Sequence, residues 1–304
     1  MVDWFAEPLR YEFMRRALVE VILMGAVTGA VGTYVVLRGL SFIGDALSHA
    51  IFPGIVIAFL LGHSIFVGAL AFGILTSTAI TVVATNRRIK EDSAIGVLFA
   101  GTFALGIVLI SSSRNFTRDL ASFLFGNVLG ATMQDIWISA GAGLVVLLIL
   151  VLFYRELLIV SFDRVAAEAM GIKVFWIDLV LLLTISLTIV ISLKAVGNIL
   201  VVAMLVTPAA TARLLTDRLR TMLFLSSTIG VFSGIVGLFV SYHADVAAGG
   251  CIVLMATGFF ALVWLFAPEH GLVTSRLIRR RLGDEMEDES SVLFESPQIV
   301  PHSR

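Results

Sequence analysis

Residues 37–62, LRGLSFIGDALSHAIFPGIVIAFLLG, combine the start of a membrane span with two ionisable side chains, Asp45 and His49. Positions i and i+4 share one face of an α-helix, so these two side chains are expected to point to the same place. An ionisable group near the centre of a bilayer costs at least about 2.5 kcal/mol, and such residues usually face the bundle interior and mark a path for an ion or a substrate. The stretch therefore predicts a membrane helix that carries a functional polar pair.

The composition of the whole chain agrees with a membrane location. Of its 304 residues, 59% are hydrophobic and 14% are charged, whereas a soluble domain carries about 25% charged residues. The formal net charge is −1 and no basic patch with interleaved aromatic residues occurs, so nucleic acid is excluded as a partner and membrane lipid is expected. Cys251 is the single cysteine, which excludes an internal disulfide and a cysteine metal cage.

Nine apolar runs are long enough to cross about 30 Å of hydrocarbon. Backbone polar groups in lipid must be satisfied within the protein, and the runs lack the alternation of a membrane barrel, so they are predicted to be helices. The predicted fold is all-α, a polytopic membrane helical bundle of eight to nine transmembrane segments. The runs fall near residues 17–37, 43–62, 64–85, 94–112, 135–154, 174–194, 197–215, 221–241 and 249–268.

The loop charges predict the orientation. Loops rich in Lys and Arg are expected in the cytoplasm, and they lie at 86–92, 154–173, 213–220 and 276–281. The C-terminus then lies inside, and nine crossings would leave the N-terminus outside although it carries Arg10, Arg15 and Arg16. One segment is therefore expected not to span the membrane. The candidates are the stretch that holds Asp45, His49 and Pro53, and residues 196–212.

The chain is predicted to have three parts. Residues 1–16 mix acids with arginines and form an amphipathic interfacial segment, residues 17–270 form the transmembrane domain, and residues 271–304 form a disordered cytoplasmic tail. Glycines at four-residue spacing let helix backbones approach closely, which favours either tight packing within one subunit or a subunit interface. These pairs are Gly25/Gly29, Gly126/Gly130 and Gly230/Gly234.

The polar pair suggests a metal. A carboxylate with an imidazole suits first-row divalent cations such as Mn²⁺, Fe²⁺ or Zn²⁺, whereas Mg²⁺ and Ca²⁺ call for oxygen ligands alone. The alternative is structural, with Asp45 capping the helix and His49 donating to a backbone carbonyl. His243 and Asp245, in a predicted outer loop, either complete or flank this site or form an exposed turn in which Asp245 caps the last span. His63 is expected to face solvent.

A second feature lies in a predicted cytoplasmic loop. Asp163 is expected to cap a short helix through residues 164–170, and Gly171 is expected to end it. Such a helix has no task in lipid, which favours a docking element; the alternative is a tight interfacial connection. The sequence contains no GxxxxGK[ST] phosphate loop, so energy from ATP must come from a partner. It also lacks HExxH and GxSxG motifs, which argues against a hydrolytic enzyme.

Residues 36–62 resemble a specific family. They fit the pattern R-x-L-S-x-x-G-D-A-L-S-H-A-x-x-P-G, which is typical of the permease subunits of bacterial ABC importers for manganese, zinc and iron, the ABC-3 family. The resemblance runs from about residue 10 to residue 270, so residues 17–270 resemble an ABC-3 type permease domain with a type II-like importer fold. It continues in family order through residues 87–109, 162–174, 201–215 and 241–254.

The resemblance implies functional residues. Asp45 and His49 look like metal-coordinating residues near the outer gate of the translocation path, and Asp245 matches a recurrent aspartate of the family. The chain departs from the family pattern at His243, where tyrosine is common, and at Asn198, where an apolar residue is common. The region that resembles the ATPase-docking element contains Asp163, Arg164, Glu168, Ala169, Met170 and Gly171.

The resemblance also implies a multi-pass location in the bacterial cytoplasmic membrane and a set of partners. These are an ABC ATPase subunit, an extracytoplasmic metal-binding lipoprotein or solute-binding protein, and a second permease copy or paralogue. No permanent cofactor is expected, and the transported metal is manganese first, zinc second, with iron also open. A stand-alone secondary carrier or channel is the alternative, and it would need no docking helix. A metal-dependent membrane enzyme is disfavoured because no third ligand with a general base is evident.

Overall fold

The computed structural model describes Trp4 and residues 6–86, 88–111 and 128–267, without the side chains of Val128 and of residues 194–196. This part of the chain is helical and contains no strand. Two short 3-10 turns, Pro8–Arg10 and Val128–Gly130, accompany the α-helices. The α-helices are α1 (Glu12–Leu37), α2 (Ile43–Ala50), α3 (Phe52–Leu60), α4 (Ile65–Ala84), α5 (Glu91–Ser111), α6 (Met133–Leu152), α7 (Tyr154–Phe162), α8 (Arg164–Ala169), α9 (Val174–Val196), α10 (Asn198–Leu215), α11 (Leu219–Ala244) and α12 (Ala248–Phe266).

Nine segments of the described chain are long and apolar enough to cross a membrane. Helices α2 and α3 together form one of them, and each of the others is a single helix: α1, α4, α5, α6, α9, α10, α11 and α12. The predicted all-α polytopic bundle is confirmed. Helix α1 begins at Glu12, where a Glu12–Arg16 ion pair supports the first turn, and the interfacial position of residues 1–16 stays a prediction. The predicted tail, 271–304, lies outside the described residues.

The second span is divided at Ile51, between α2 and α3. Pro53 stands in the first turn of α3, where its missing N–H is tolerated, but it cannot donate to the carbonyl of His49 as a helix interior requires. The Ile51 N–H bonds to the Leu47 carbonyl at 3.1 Å and the Gly54 N–H bonds to the Ile51 carbonyl at 3.1 Å, which carries the chain from one helix into the next. The proline thus divides the span without ending it.

The interior of the bundle is formed by the most apolar faces of α1 and α9. Tyr34 and Met24 of α1 and Leu181, Ile185 and Ile189 of α9 are completely or almost completely buried. Helices α5, α6 and α12 bury little of their apolar surface within the chain. Helices that are apolar on their outer faces are typical of membrane spans, so these three are placed to face lipid or another subunit.

Helices α1 and α11 pack against each other through small residues. A Cβ added to Gly25 would lie 2.8 Å from the backbone of Gly230, and one added to Gly29 would lie 2.7 Å from the backbone of Ser226. The Ser226 hydroxyl also donates to the Gly29 carbonyl at 2.7 Å. The glycine pairs of these two helices therefore serve packing within one subunit. Gly126 lies outside the described residues.

Contacts at the helix ends show which ends lie on the same side of the bundle. The end of α1 is joined to the start of α9 by the Arg38–Asp178 ion pair, on the side of the basic α7–α8 region. At the opposite end, Trp4 and Tyr11 pack against the end of α11. These contacts agree with alternating directions for α1, α9 and α11, and the expectation that one segment does not span stays a prediction. The N-terminal arginines lie at the end of the bundle opposite α8, where Glu12 pairs with Arg16.

Candidate metal translocation site

Asp45 and His49 lie together on α2. The Asp45 Oδ1 and His49 Nε2 atoms are 3.5 Å apart, and the side chains are 43% and 23% exposed, respectively. The hydroxyl of the intervening Ser48 donates to the Asp45 carbonyl at 2.8 Å, which holds it within its own turn and away from the pair. The expected i, i+4 arrangement is confirmed, and it presents a carboxylate and an imidazole on one face of the single chain.

The alternative, in which Asp45 caps the helix and His49 donates to a backbone carbonyl, does not agree with the observed geometry. Helix α2 begins without a side-chain hydrogen bond at its N-cap, so Asp45 does not cap it. Within the described residues, the polar contacts of the His49 ring are with Asp45 and Asn198, not with a backbone carbonyl. Both side chains are therefore available to a ligand.

Aromatic residues from α5 surround the imidazole. The ring centroids of Phe99 and Phe103 lie 5.8 Å and 5.0 Å from that of His49, and Phe103 also lies 5.9 Å from Phe52. Phe99 and Phe103 are in the middle of α5, so the polar pair lies part-way along the bundle. The position near the outer gate, implied by the family resemblance, stays a prediction.

Asn198, the first residue of α10, is the third polar residue at this place. It is 4% exposed, and its amide nitrogen lies 3.4 Å from His49 Nε2. It follows Gly197, whose φ of 79° is a left-handed conformation that glycine adopts without a steric penalty. The sequence indicated Asn198 only as a polar interruption of an apolar stretch, because no spacing rule connects residues 149 positions apart.

His243 and Asp245 are held at the outer end of α11. The His243 Nδ1 atom lies 3.0 Å from the Phe239 carbonyl, and its ring stacks on Trp4 at a centroid distance of 4.3 Å. Asp245 has left-handed backbone angles and ends α11. Throughout the described chain, no three His, Cys, Asp or Glu residues form a group that could hold a metal. The single chain thus does not bring this pair to Asp45 and His49.

The alternative for Asp245, an exposed turn in which it caps the last span, is wrong in part. The prediction that His63 faces solvent agrees with the structure. Helix α12 begins after Ala247 without a side-chain cap, so Asp245 does not cap the last span. His63 is exposed, and its Nδ1 atom lies 3.0 Å from the Leu61 carbonyl, as expected for a loop residue.

The predicted short helix after Asp163 is confirmed as α8. Asp163 accepts hydrogen bonds from the backbone N–H groups of Val165 and Ala166, both at 2.9 Å, which satisfies two donors of the first turn. Gly171 has a φ of 80° and ends the helix. Ala167, on the inner face of this helix, is fully buried. Helix α8 is therefore a defined element that packs against the rest of the protein.

A network of four charged residues fixes α8 to the spanning helices. Arg38 Nη1 lies 2.6 Å from Asp178 Oδ1, and the side chains are 4% and 7% exposed. Arg164 pairs with the second oxygen of Asp178 and also with Glu91 at 3.1 Å. Sequence reasoning singled out Arg164 alone. The sequence offered one sign of Arg38, Glu91 and Asp178. Each of these charged residues lies immediately beside an apolar run or just inside one.

Nine segments of the described chain that are apolar and long enough to span, one of which carries a carboxylate–imidazole pair, are typical of a multi-pass membrane protein. The model of the ABC 3 transport family matches residues 10–267. The chain belongs to this family and is a membrane-spanning permease.

Its relatives match over nearly their full length. MntC of Halalkalibacterium halodurans, a manganese transport system membrane protein, is 49% identical over 283 residues, covering 93% of this chain and 97% of that protein. A Haemophilus influenzae protein named "probable iron transport system membrane protein" is 37% identical over 267 residues, covering 88% and 98%. The solved structure of PsaBC from Streptococcus pneumoniae in complex with a Fab has a TM-score of 0.78 at 42% identity, covering 88% of this chain and 97% of that one.

Proposed function

We propose that this chain is the permease subunit of an ATP-driven importer that carries Mn²⁺ across the bacterial cytoplasmic membrane. The observation that carries the proposal is the Asp45–His49 pair, at 3.5 Å, on a spanning helix of an ABC 3 permease. One oxygen and one nitrogen ligand suit a first-row divalent cation. Full-length similarity to a manganese transport protein favours manganese, whereas zinc and iron remain the competing substrates.

A second permease copy or a paralogue completes the path in this proposal. Asp45 is 43% exposed on the surface of the single chain, within a segment that crosses the membrane. A carboxylate that faced lipid near the bilayer centre would cost at least about 2.5 kcal/mol, so another subunit or an aqueous path must cover it. The ion would arrive from an extracytoplasmic metal-binding lipoprotein or solute-binding protein and pass between the two subunits.

The ATPase would dock on an apolar surface around α8, which we call the α8 face and define by Phe162, Val165 and Met170. These side chains are 61%, 76% and 67% exposed, respectively. Large apolar side chains exposed together mark interaction sites, and this group lies in the cytoplasmic region. Asp163, Arg164, Glu168, Ala169 and Gly171 shape and anchor the helix that presents it.

Replacing Met170 by aspartate should weaken ATPase association at least about tenfold, because a charge placed at the centre of an apolar contact must lose its hydration. Copurification of the ATPase with the tagged permease measures this. Met133→Asp is the matched control, since Met133 is also exposed but begins α6 at the opposite end of the bundle. Equal amounts of ATPase with both variants would argue against the α8 face.

The proposed substrate is tested by metal uptake in cells with and without the gene. Manganese accumulation should depend on the gene more strongly than zinc or iron accumulation, because the full-length relative MntC is named as a manganese transport protein. In the same cells, an ATPase partner inactivated at its phosphate loop should stop uptake. Continued uptake would instead favour the secondary carrier or channel, for which α8 has no role.

A further inference from the structure

The side chain of Asn198 has an incomplete set of contacts. It is 4% exposed, and its Oδ1 atom is buried with no hydrogen-bond partner among the described residues. Buried amide oxygens in native proteins almost always have a partner, so an exception calls for an explanation such as an ion that binds there. The amide is also directed at a functional residue, since its nitrogen lies 3.4 Å from His49 Nε2.

The distances around His49 fit the edges of a coordination polyhedron. Nε2 is 3.5 Å from Asp45 Oδ1 and 3.4 Å from the Asn198 amide. Two ligands that each lie about 2.1–2.2 Å from one ion stand roughly 3.0–3.6 Å apart at tetrahedral or octahedral angles. A half-turn of the amide plane exchanges its nitrogen and oxygen, because the two ends are nearly the same size. This rotation would place Oδ1 where the nitrogen now lies.

We propose that Asn198 supplies an amide oxygen as a third ligand to the transported cation, beside Asp45 and His49, and that it favours Mn²⁺ over Zn²⁺. The inference rests on the proposed function and adds a specificity-determining residue to it. Two oxygens with one nitrogen form a harder ligand set than the nitrogen- and sulfur-rich sets that zinc prefers. The remaining positions would be filled by water or by the second subunit.

The position of Asn198 also suits a site that must release its ion. It is the first residue of α10, and the N-terminus of a helix carries a partial positive charge that opposes a bound cation. Conduction requires binding that is favourable enough for entry and weak enough for exit. A neutral amide at this place adds a ligand without adding a second negative charge that would hold the ion.

Two substitutions test the proposal in the purified full-length complex. Asn198→Leu removes the oxygen and should weaken Mn²⁺ binding by about tenfold or more while changing Zn²⁺ binding much less. Asn198→Asp keeps an oxygen and should retain Mn²⁺ binding. Asn86→Leu makes the same change at an exposed residue outside the spans and should match the wild type. Free Mn²⁺ is counted by electron paramagnetic resonance, and Zn²⁺ is used as the competitor.

A stability measurement separates this role from a structural one. Without metal, Asn198→Leu should melt no lower than the wild type, because it replaces a buried amide whose oxygen has no partner by an apolar group of similar volume. Unchanged Mn²⁺ affinity and Zn²⁺ competition in this variant would overturn the inference and leave the proposed function intact. Loss of both metals together with a lower melting temperature would also overturn it. A wild-type complex that transports no metal would overturn the proposed function itself.

Discussion

Alanine at Asp45 or His49 is expected to reduce manganese uptake by about 100-fold or more, to the level of cells without the gene. Each substitution removes one of the two side chains that face the ion from α2, and Asp45→Ala also removes the negative charge that offsets the cation's lost hydration. Changing only a residue that supports a metal ligand costs 10-fold to 100-fold in affinity, so losing a ligand should cost at least as much. Asp45→Asn and His49→Gln, which keep polarity, should retain only part of the uptake.

Uptake of radioactive manganese by cells that express each variant measures this effect. His63→Ala and Asp217→Ala are matched controls, because His63 is an exposed loop residue and Asp217 pairs with Arg213 at 2.8 Å near the cytoplasmic end of α10. Each variant must still insert and still copurify with its ATPase, which excludes a folding defect. Wild-type uptake by both alanine variants would refute the assignment of Asp45 and His49 to the path.

Asp178→Ala should have the largest effect on folding. Asp178 binds Arg38 at 2.6 Å and pairs with Arg164 through its second oxygen, and Arg38 is only 4% exposed. Removing one partner of a buried pair leaves an uncompensated charge and costs about 3–5 kcal/mol, a large fraction of the stability of most proteins. The end of α1, the start of α9 and α8 would lose their common anchor.

The yield and melting temperature of the detergent-purified protein report this loss. Asp217→Ala breaks an exposed i, i+4 pair, which is worth only about 0.3–0.5 kcal/mol, so it should melt close to the wild type. Combining Asp178→Leu with Arg38→Met should recover part of the loss, because neither member of the buried pair is then left charged. A melting temperature of Asp178→Ala equal to that of Asp217→Ala would show that the network does not hold the fold.

Several features could be predicted from the sequence because they depend on neighbouring residues. The apolar runs defined nine spanning segments, since length and hydropathy determine whether a helix can cross a bilayer. The i, i+4 spacing placed Asp45 and His49 on one face, since helix geometry fixes that relation. Asp163 as the cap of α8 followed from the preference of helix N-termini for side-chain acceptors.

The neighbours of the two ends of α1 became visible only in the tertiary structure. The three N-terminal arginines suggested a cytoplasmic end, and that expectation led to a search for a segment that does not span. The contact between Arg38 and Asp178 joins the end of α1 to the start of α9, and Trp4 packs on His243 at the other end of the bundle. The rule on loop charges is statistical, whereas a contact between distant residues is specific.

The sequence by itself determined the fold class, the nine apolar segments, the polar pair on α2 and the capped helix α8, because each follows from residues within a few turns of one another. Only the tertiary structure decided which distant residues meet. It brought Asn198 to His49, buried Arg38 against Asp178, and placed Trp4 over His243. These contacts join residues more than 100 positions apart, and they depend on how the helices pack rather than on any local pattern.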